Sequence, residues 1–241
     1  MTLLLELELG TEAVDRAKVD LVVAGFFADE LPPRGPAGRV DWRLCGLISR
    51  QLAAERLRGD PGDAVLLATF DRLAAPHVLA LGLGARAHFG LDDTRSHIQD
   101  AVSRAGRLGA ESIALALGDL LGVQDASGPG SAARELSELA VEVVNSALEQ
   151  LRIANAAAED QRNGQQPGGT PSTPSGPQTR QPPLFRIRLL MEAEEALHVR
   201  RALTDWSAGL PEVIFDAQGT RPDPQPVPLG VGAATVRPLG P

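Results

Sequence analysis

The chain has little of what disulfides and many metal sites are built from. Cys45 is the one cysteine in 241 residues, which excludes an intrachain disulfide and a cysteine-based zinc site. Because Cys45 lies in an apolar pattern of helical spacing, we predict a buried structural thiol. Lysine is almost missing too, since Lys18 is the only lysine and nearly every other basic side chain is arginine.

Aromatic residues, long apolar runs and net positive charge are also scarce. Aromatics make up 3% of the chain against 43% hydrophobic residues, so the core must consist of Leu, Val and Ala. No apolar stretch approaches the ~20 residues of a membrane span, and the start MTLLLELELG lacks the basic segment of a signal peptide. A net charge of -8 disfavours nucleic-acid and anionic-membrane partners. We expect a cytoplasmic protein that binds neither.

Several segments have the hydrophobic patterns of β-strands. Leu5, Leu7 and Leu9 alternate with Glu6 and Glu8, which predicts a strand with one buried face. The continuously apolar segment 19–27 predicts a central strand covered on both sides. Further strands are expected at 64–70, 77–84, 112–118, 184–192 and 212–216.

Between these strands the spacing becomes helical. The segment 31–38, LPPRGPAG, predicts a loop, and a helix is expected from Val40, where apolar side chains then recur at helical intervals. Asp92 or Asp93 can cap a second helix, and the longest apolar stripe extends from Leu136 to Leu151. The first helix places Leu44, Cys45, Ile48 and Leu52 on one stripe.

Composition divides the chain into four segments. Residues 1–153 form the main α/β domain, and residues 154–183, rich in Gly, Pro, Ser, Thr and Gln, predict a disordered linker or excursion. Residues 184–216 predict a strand–helix–strand element that completes the same domain, because it is too small to stand alone. Residues 217–241 are a Pro-rich tail. Strands that alternate with helices indicate an α/β sandwich with a mixed sheet.

The segment Gly82-Leu83-Gly84-Ala85-Arg86-Ala87 fits the spacing GxGxxA of a dinucleotide-binding turn. Such a turn needs a helix that begins within it, because the pyrophosphate sits on that helix N-terminus. Here the helix cannot begin before about Asp92, and no acidic residue follows at the ribose position. We therefore interpret the glycines as allowing close packing at the end of a strand.

The order of the strand VDLVVAGFF, the segment GDAVLLAT, the strand end HVLALGLGAR and a following helix resembles the N-terminal domain of leucyl aminopeptidases. The resemblance covers residues 15–153, and Arg86 stands where the family commonly has lysine. It implies a macro-domain-like three-layer sandwich, with a mixed, mainly parallel sheet flanked by helices. It also implies a role in subunit contacts, since this domain packs at such contacts in full-length relatives.

The segment 101–144 is similar to the macro-domain order of helix, strand, glycine loop and helix. In macro domains that bind ADP-ribose, backbone amides of this loop hold phosphate. Here the loop is Gly118-Asp119-Leu120-Leu121-Gly122, whose carboxylate opposes an anion. The resemblance implies a candidate ligand site at Gly82, Gly84, Arg86, Gly118 and Gly122.

The catalytic signature of the aminopeptidases is not found in the chain. Their two-metal site uses a lysine and several carboxylates, with an Asn-Thr-Asp-Ala-Glu-Gly-Arg stretch that this sequence lacks. The histidines 77, 88, 97 and 198 have no metal-ligand spacing, although His77 and His88 flank the glycine turn. We expect no catalytic residues, no metal and no cofactor.

Three functional hypotheses stay open. The first is a non-catalytic protein-interaction or assembly module, with a protein partner or self-association. The second is a macro-type domain that binds a small nucleotide such as ADP-ribose. The third is the non-catalytic part of a metalloaminopeptidase whose metal domain is on another chain.

Overall fold

The computed structural model describes residues 4–116, 129–164, 184–207 and 213–216. The strands are β1 (Leu4–Gly10), β2 (Leu21–Phe26), β3 (Ala64–Ala68), β4 (His77–Gly82), β5 (Ser112–Ala116), β6 (Leu184–Leu190) and β7 (Val213–Asp216). The helices are α1 (Gly35–Arg43), α2 (Leu47–Ala53), α3 (Leu91–Arg107), α4 (Pro129–Gly164) and α5 (Ala193–Ser207), with 3-10 turns at Val14–Arg16 and Arg86–His88.

The strands form a seven-stranded sheet in the order β3-β4-β2-β5-β6-β1-β7. β3 is antiparallel to β4, and every other neighbouring pair is parallel. The predicted mixed, mainly parallel sheet is confirmed. β6 lies between β5 and β1, so the segment after residue 183 supplies an inner strand of the sheet.

Apolar side chains on the two faces of the sheet form two separate cores. On one face, Leu21 and Val23 of β2 join a core to which α3, α4 and α5 contribute. On the other face, Val22 and Phe26 join a core to which α1 and α2 contribute. The predicted three-layer sandwich with helices on both faces is therefore confirmed. None of the helices in the described part of the chain has the length and hydrophobicity needed to cross a membrane.

The expectation that β1 has one buried face is wrong, because both of its faces are buried. Glu6 and Glu8 are inaccessible to solvent because arginines of β6 lie beside them in register. Arg186 Nε lies 2.7 Å from Glu6 Oε2, and Arg188 Nη2 lies 2.6 Å from Glu8 Oε2. The sequence signal for this pairing was that charged residues recur at every second position in both segments, glutamates in LELEL and arginines in RIR.

The expected loop at 31–38 and the helix after it differ from the structure. α1 already begins at Gly35, because Pro36 fits the first turn of a helix, where its missing N–H is not needed. The helix predicted from Val40 is split into α1 and α2, since Cys45 and Gly46 between them have φ of 56° and 76°. The second helix is capped by Asp41, whose Oδ1 accepts from Ile48 N at 2.7 Å.

The remaining helices agree with the predicted apolar spacing, except that α4 extends beyond its predicted C-terminal end. The N-cap of α3 is Gly90 rather than Asp92 or Asp93, but Asp93 does help to cap the helix from its first turn, since its Oδ2 accepts from Gly90 N at 2.9 Å. α4 continues to Gly164, so residues 154–164 are helical rather than part of the linker predicted for 154–183. Residues 165–183 and the tail 217–241 lie outside the described residues.

Candidate functional site

Gly82 and Gly84 pack against the turn at residues 59–61. A Cβ at Gly82 would overlap the carbonyl oxygen of Asp60, and Gly84 has a φ of +78° with Pro61 beside it. The amide of Gly84 also donates to Gly59 O at 2.7 Å. The close-packing interpretation of the GxGxxA turn is confirmed. The helix that follows begins only at Leu91, after the GxGxxA pattern has ended, so its N-terminus does not lie within the turn as a dinucleotide site needs.

A cavity of about 410 Å³ lies at the carboxyl ends of β2, β4 and β5. This edge of a parallel sheet is where α/β folds commonly bind ligands. Arg86 lines the cavity, whereas Gly82 and Gly84 are not among its lining residues. The polar side chains in its wall are Glu30, Arg34, Arg86 and His97, and its apolar wall includes Val23, Phe26, Phe27, Leu81, Leu83, Ile98, Ala101 and Leu115.

Arg86 is held at the mouth of the cavity by three contacts. Its guanidinium carbon lies 4.2 Å from the centre of the Phe27 ring, and its Nε donates to Glu30. Its amide donates to Asp29 Oδ1 at 3.0 Å. Because Glu30 already neutralises part of its charge, Arg86 presents a fixed cation with reduced attraction for an anion. Arg34 also lines the cavity, and among the described residues no acidic side chain pairs with it.

His97 closes the inner side of the cavity in an aromatic stack. Its ring lies 5.6 Å from that of Phe89, which meets the Phe27 ring edge-on at 5.2 Å. Burial lowers the pKa of His97 below 6.5, although the charges of Asp100 and Asp93 raise it in part. The net effect on the pKa of His97 favours the neutral imidazole.

A second cavity of about 520 Å³ adjoins the first, and the two share Gly35, Pro36 and Ala116. Three glutamates line it (Glu12, Glu192 and Glu195). Its one lining arginine, Arg39, is bound to the buried Asp15, which Arg43 also contacts at 2.6 Å. Burial raises the pKa of Asp15, but the hydrogen bonds from Arg39 and Arg43 lower it more, so the net pKa lies below 3.8.

An exposed surface formed by the end of α1, the turn that follows it and the turn at 69–72 was missed from the sequence. It consists of Trp42, Cys45, Phe70 and Arg72, and we call it the aromatic turn surface. Cys45 N donates to Trp42 O at 3.1 Å, and Arg72 Nη1 lies 2.6 Å from Cys45 Sγ. Arg72 N donates in turn to Thr69 O at 3.0 Å across the turn that carries Phe70. The prediction that Cys45 is buried is wrong, because the left-handed φ at this residue turns the thiol outward.

The other candidate residues are not brought together. His77 begins β4, whereas His88 follows the opposite end of that strand, so the two do not meet. Gly118 and Gly122 lie outside the described residues. Within the described residues, no cluster of three His, Cys, Asp or Glu side chains is placed to hold a metal ion.

Comparisons with known proteins agree with this geometry. The N-terminal domain model of the cytosol aminopeptidase family matches residues 22–138. A probable cytosol aminopeptidase of Xanthomonas oryzae is 37% identical over 112 residues, which are 46% of this chain and 22% of that protein. The chain thus spans about a fifth of the length of the curated relatives it matches.

Solved structures show the same fold at low identity. A tomato leucine aminopeptidase mutant superposes with a TM-score of 0.52 at 19% identity, over 84% of this chain and 36% of that one. A Trypanosoma brucei macrodomain in complex with ADP-ribose superposes with a TM-score of 0.50 at 16% identity, over 81% of this chain and 68% of that one. The resemblance stated above is confirmed: residues 22–138 match the N-terminal domain of the cytosol aminopeptidase family, and the structure has the fold shared by that domain and macrodomains.

Proposed function

We propose that this chain is a non-catalytic assembly domain that binds a protein partner through the aromatic turn surface. The observation that carries the proposal is the exposure of two large aromatic side chains, Trp42 at 72% and Phe70 at 82%. Aromatic residues are only 3% of the chain, and large aromatic side chains usually contribute to the core, so the exposure of two of them needs an explanation.

The chemistry of this surface is that of an interface. Aromatic and arginine side chains are enriched at the centres of protein–protein contacts, where they contribute most of the binding energy. Arg43 lies over the Trp42 ring at 5.0 Å, and Arg72 contacts Cys45 beside it. Cys45, Phe70 and Asp71 also have positive φ, a backbone state that non-glycine residues hold at a cost and that concentrates at functional sites.

The partner is either a second copy of the chain or the catalytic part of a cytosol aminopeptidase. The catalytic part of an aminopeptidase is suggested as a partner by the relatives, in which the matched region is about a fifth of a longer protein. An assembly domain of this kind needs no metal ligands of its own.

Light scattering after size-exclusion chromatography tests the proposal. The purified chain is measured alone and after mixing with the catalytic segment of a cytosol aminopeptidase. We expect a mass above that of one chain in at least one sample, and we expect the Trp42→Ala/Phe70→Ala variant to lose it. A single-chain mass in both samples refutes the assembly role.

A second candidate function is binding of a small anionic ligand in the 410 Å³ cavity. Its support is the position of Arg34 and Arg86 at the carboxyl edge of a macrodomain-like sheet, the fold of the Trypanosoma brucei protein solved with ADP-ribose. Glu30 in the same wall works against a phosphate, which is why this candidate stands second.

Calorimetric titration with ADP-ribose tests the ligand hypothesis. If the cavity binds this ligand, we expect micromolar affinity. Arg34→Ala should weaken the affinity about tenfold, because it removes one charge-assisted hydrogen bond. Arg107→Ala, an exposed arginine at the far end of α3, is the matched control and leaves affinity unchanged. No heat of binding up to millimolar ligand contradicts the hypothesis.

A further inference from the structure

Among the strands that the structure describes, β3 lies at the edge of the sheet, hydrogen-bonded to β4 on one side. Its five residues are Ala64, Val65, Leu66, Leu67 and Ala68. Natural edge strands are usually protected from pairing by charged residues, proline or bulges. None of these interrupts β3, and the three central side chains are apolar.

The hydrogen bonds to β4 show which groups of β3 point away from the sheet. Gly82 N donates to Asp63 O at 2.8 Å, and Thr69 N donates to Pro76 O at 3.0 Å. Hydrogen-bonded pairs alternate along an antiparallel ladder, so the odd-numbered residues between 63 and 69 face β4. The N–H and C=O groups of Ala64, Leu66 and Ala68 therefore face outward. No described residue forms a hydrogen bond with them on that side.

We propose that this edge pairs with the same edge of a second copy, antiparallel, with Leu66 opposite Leu66. The inference rests on the proposed assembly role and specifies its partner. In this register Ala64 lies opposite Ala68, so every outward-facing residue meets another outward-facing residue. Each such pair exchanges two hydrogen bonds, and a two-fold axis through Leu66 makes the interface self-complementary.

The side chains beyond the strand fit the same register. It brings Phe70 of one copy to Gly62 of the other, where a Cβ would meet nothing within 4 Å. An aromatic ring over an edge glycine is a favourable cross-strand arrangement. The apolar contact next to the paired strands therefore agrees with a second copy as the occupant.

The conformation of Phe70 supports a role outside the monomer. Its φ is 50° and that of Asp71 is 59°, which places both central residues of the turn in the left-handed region. A bulky side chain there is an outlier, and with 82% of its surface exposed it recovers little packing within its own chain. In the paired state the ring covers Gly62 of the other copy, and this contact offsets part of the strain in the turn.

Sedimentation of the full chain over a concentration series tests the proposal. We expect a monomer–dimer equilibrium, which Ala68→Lys weakens at least tenfold by placing a charge on the outer edge. Ala156→Lys, an exposed alanine on α4, is the matched control and leaves the equilibrium unchanged. Phe70→Gly separates binding from folding, because it weakens the dimer while the melting temperature of the monomer holds or rises as the strain is released.

A cross-linking experiment tests the register directly. In a Cys45→Ser background, Leu66→Cys is expected to form a disulfide-linked dimer on oxidation, since antiparallel hydrogen-bonded pairs place Cα atoms about 5.5 Å apart. Ala68→Cys in the same background faces Ala64 rather than itself and does not cross-link.

A monomer at every concentration, or a dimer that Ala68→Lys and Phe70→Gly leave intact, overturns the proposal. The two proposals fail separately. A chain that is monomeric alone but binds the aminopeptidase catalytic segment keeps the assembly role and loses the β3 pairing. A chain that does neither loses both.

Discussion

Arg186 of β6 donates through Nε to Glu6 of β1 at 2.7 Å, across 180 residues of sequence. The two side chains are 12% and 0% exposed, and Arg186 also lies 3.3 Å from Glu8. Arg188 continues the series to Glu12 at 3.2 Å. Two adjacent parallel strands are thus joined by a buried row of alternating charges.

Removing one partner from this row takes an ion-pair partner away from a buried charge. Arg186→Met is expected to lower the free energy of unfolding by about 3–5 kcal/mol, measured by urea denaturation. The double variant Glu6→Leu/Arg186→Leu is expected to recover a large part of that loss, because an apolar pair needs no compensation.

Arg152→Met is the matched control for the ion-pair prediction. Arg152 and Glu149 are exposed and 3.9 Å apart, so the change should stay within about 0.5 kcal/mol. Equal losses in Arg186→Met and Arg152→Met would contradict the importance assigned to the buried row.

Gly82 and Gly106 give opposite predictions for the same substitution. A Cβ at Gly82 would overlap backbone of the 59–60 turn, so Gly82→Ala should destabilise the fold by about 2 kcal/mol. A Cβ at Gly106, inside α3, meets only Gln150 at 3.6 Å, so Gly106→Ala should stabilise by about 0.5–1 kcal/mol. Thermal unfolding of both variants measures the contrast, and a stabilising Gly82→Ala would argue against close packing at the turn.

His97 makes the stability of the fold depend on pH. Burial lowers its pKa below 6.5 in the folded chain, whereas the unfolded chain takes up the proton near 6.5. The unfolded state therefore binds more protons as pH falls below 6.5, and the free energy of unfolding decreases until pH reaches the folded pKa. Denaturation curves above and below 6.5 should show this decline, and His97→Gln should flatten it. A wild-type profile as flat as that of the variant would refute the assignment.

Cys45 is the single thiol of the chain and is exposed, so it provides a direct check of the turn at 44–46. A thiol-specific reagent should label one site per chain without denaturant. Labelling that appears only after unfolding would show that the thiol is buried, as its apolar neighbours in the sequence had indicated.

Strong periodic patterns made the fold class predictable. The side chains of the apolar run that contains β2, and those of the stripe from Leu136 to Leu148, are buried in the two cores, as their spacing predicted. The prediction of one continuous helix over Leu44 to Leu52 was wrong. The spacing of apolar residues gives no sign of a left-handed backbone conformation, and Cys45 and Gly46, which adopt one, interrupt the helix. Glu6 and Glu8 were expected to face solvent because their partners lie in a distant strand.

The cavity and the aromatic turn surface differ in how far the sequence reveals them. Arg86 was found because it follows a glycine pattern at a strand end. Glu30 and His97 reach the same cavity from other elements, and no spacing links them to Arg86. Phe70 left a weak signal, since a lone aromatic between Thr69 and Asp71 has no apolar neighbour to pack with.

The position of β6 constrains how the chain folds as it leaves the ribosome. β1 is made first, yet both of its neighbours, β6 and β7, come from the last third of the chain. Until β6 is synthesised, the nascent strand has neither of its two neighbours in the sheet, and the carboxylates of Glu6 and Glu8 stay in water. Closure of the sheet, and the desolvation of those carboxylates, is a late event that only the emergence of Arg186 and Arg188 permits.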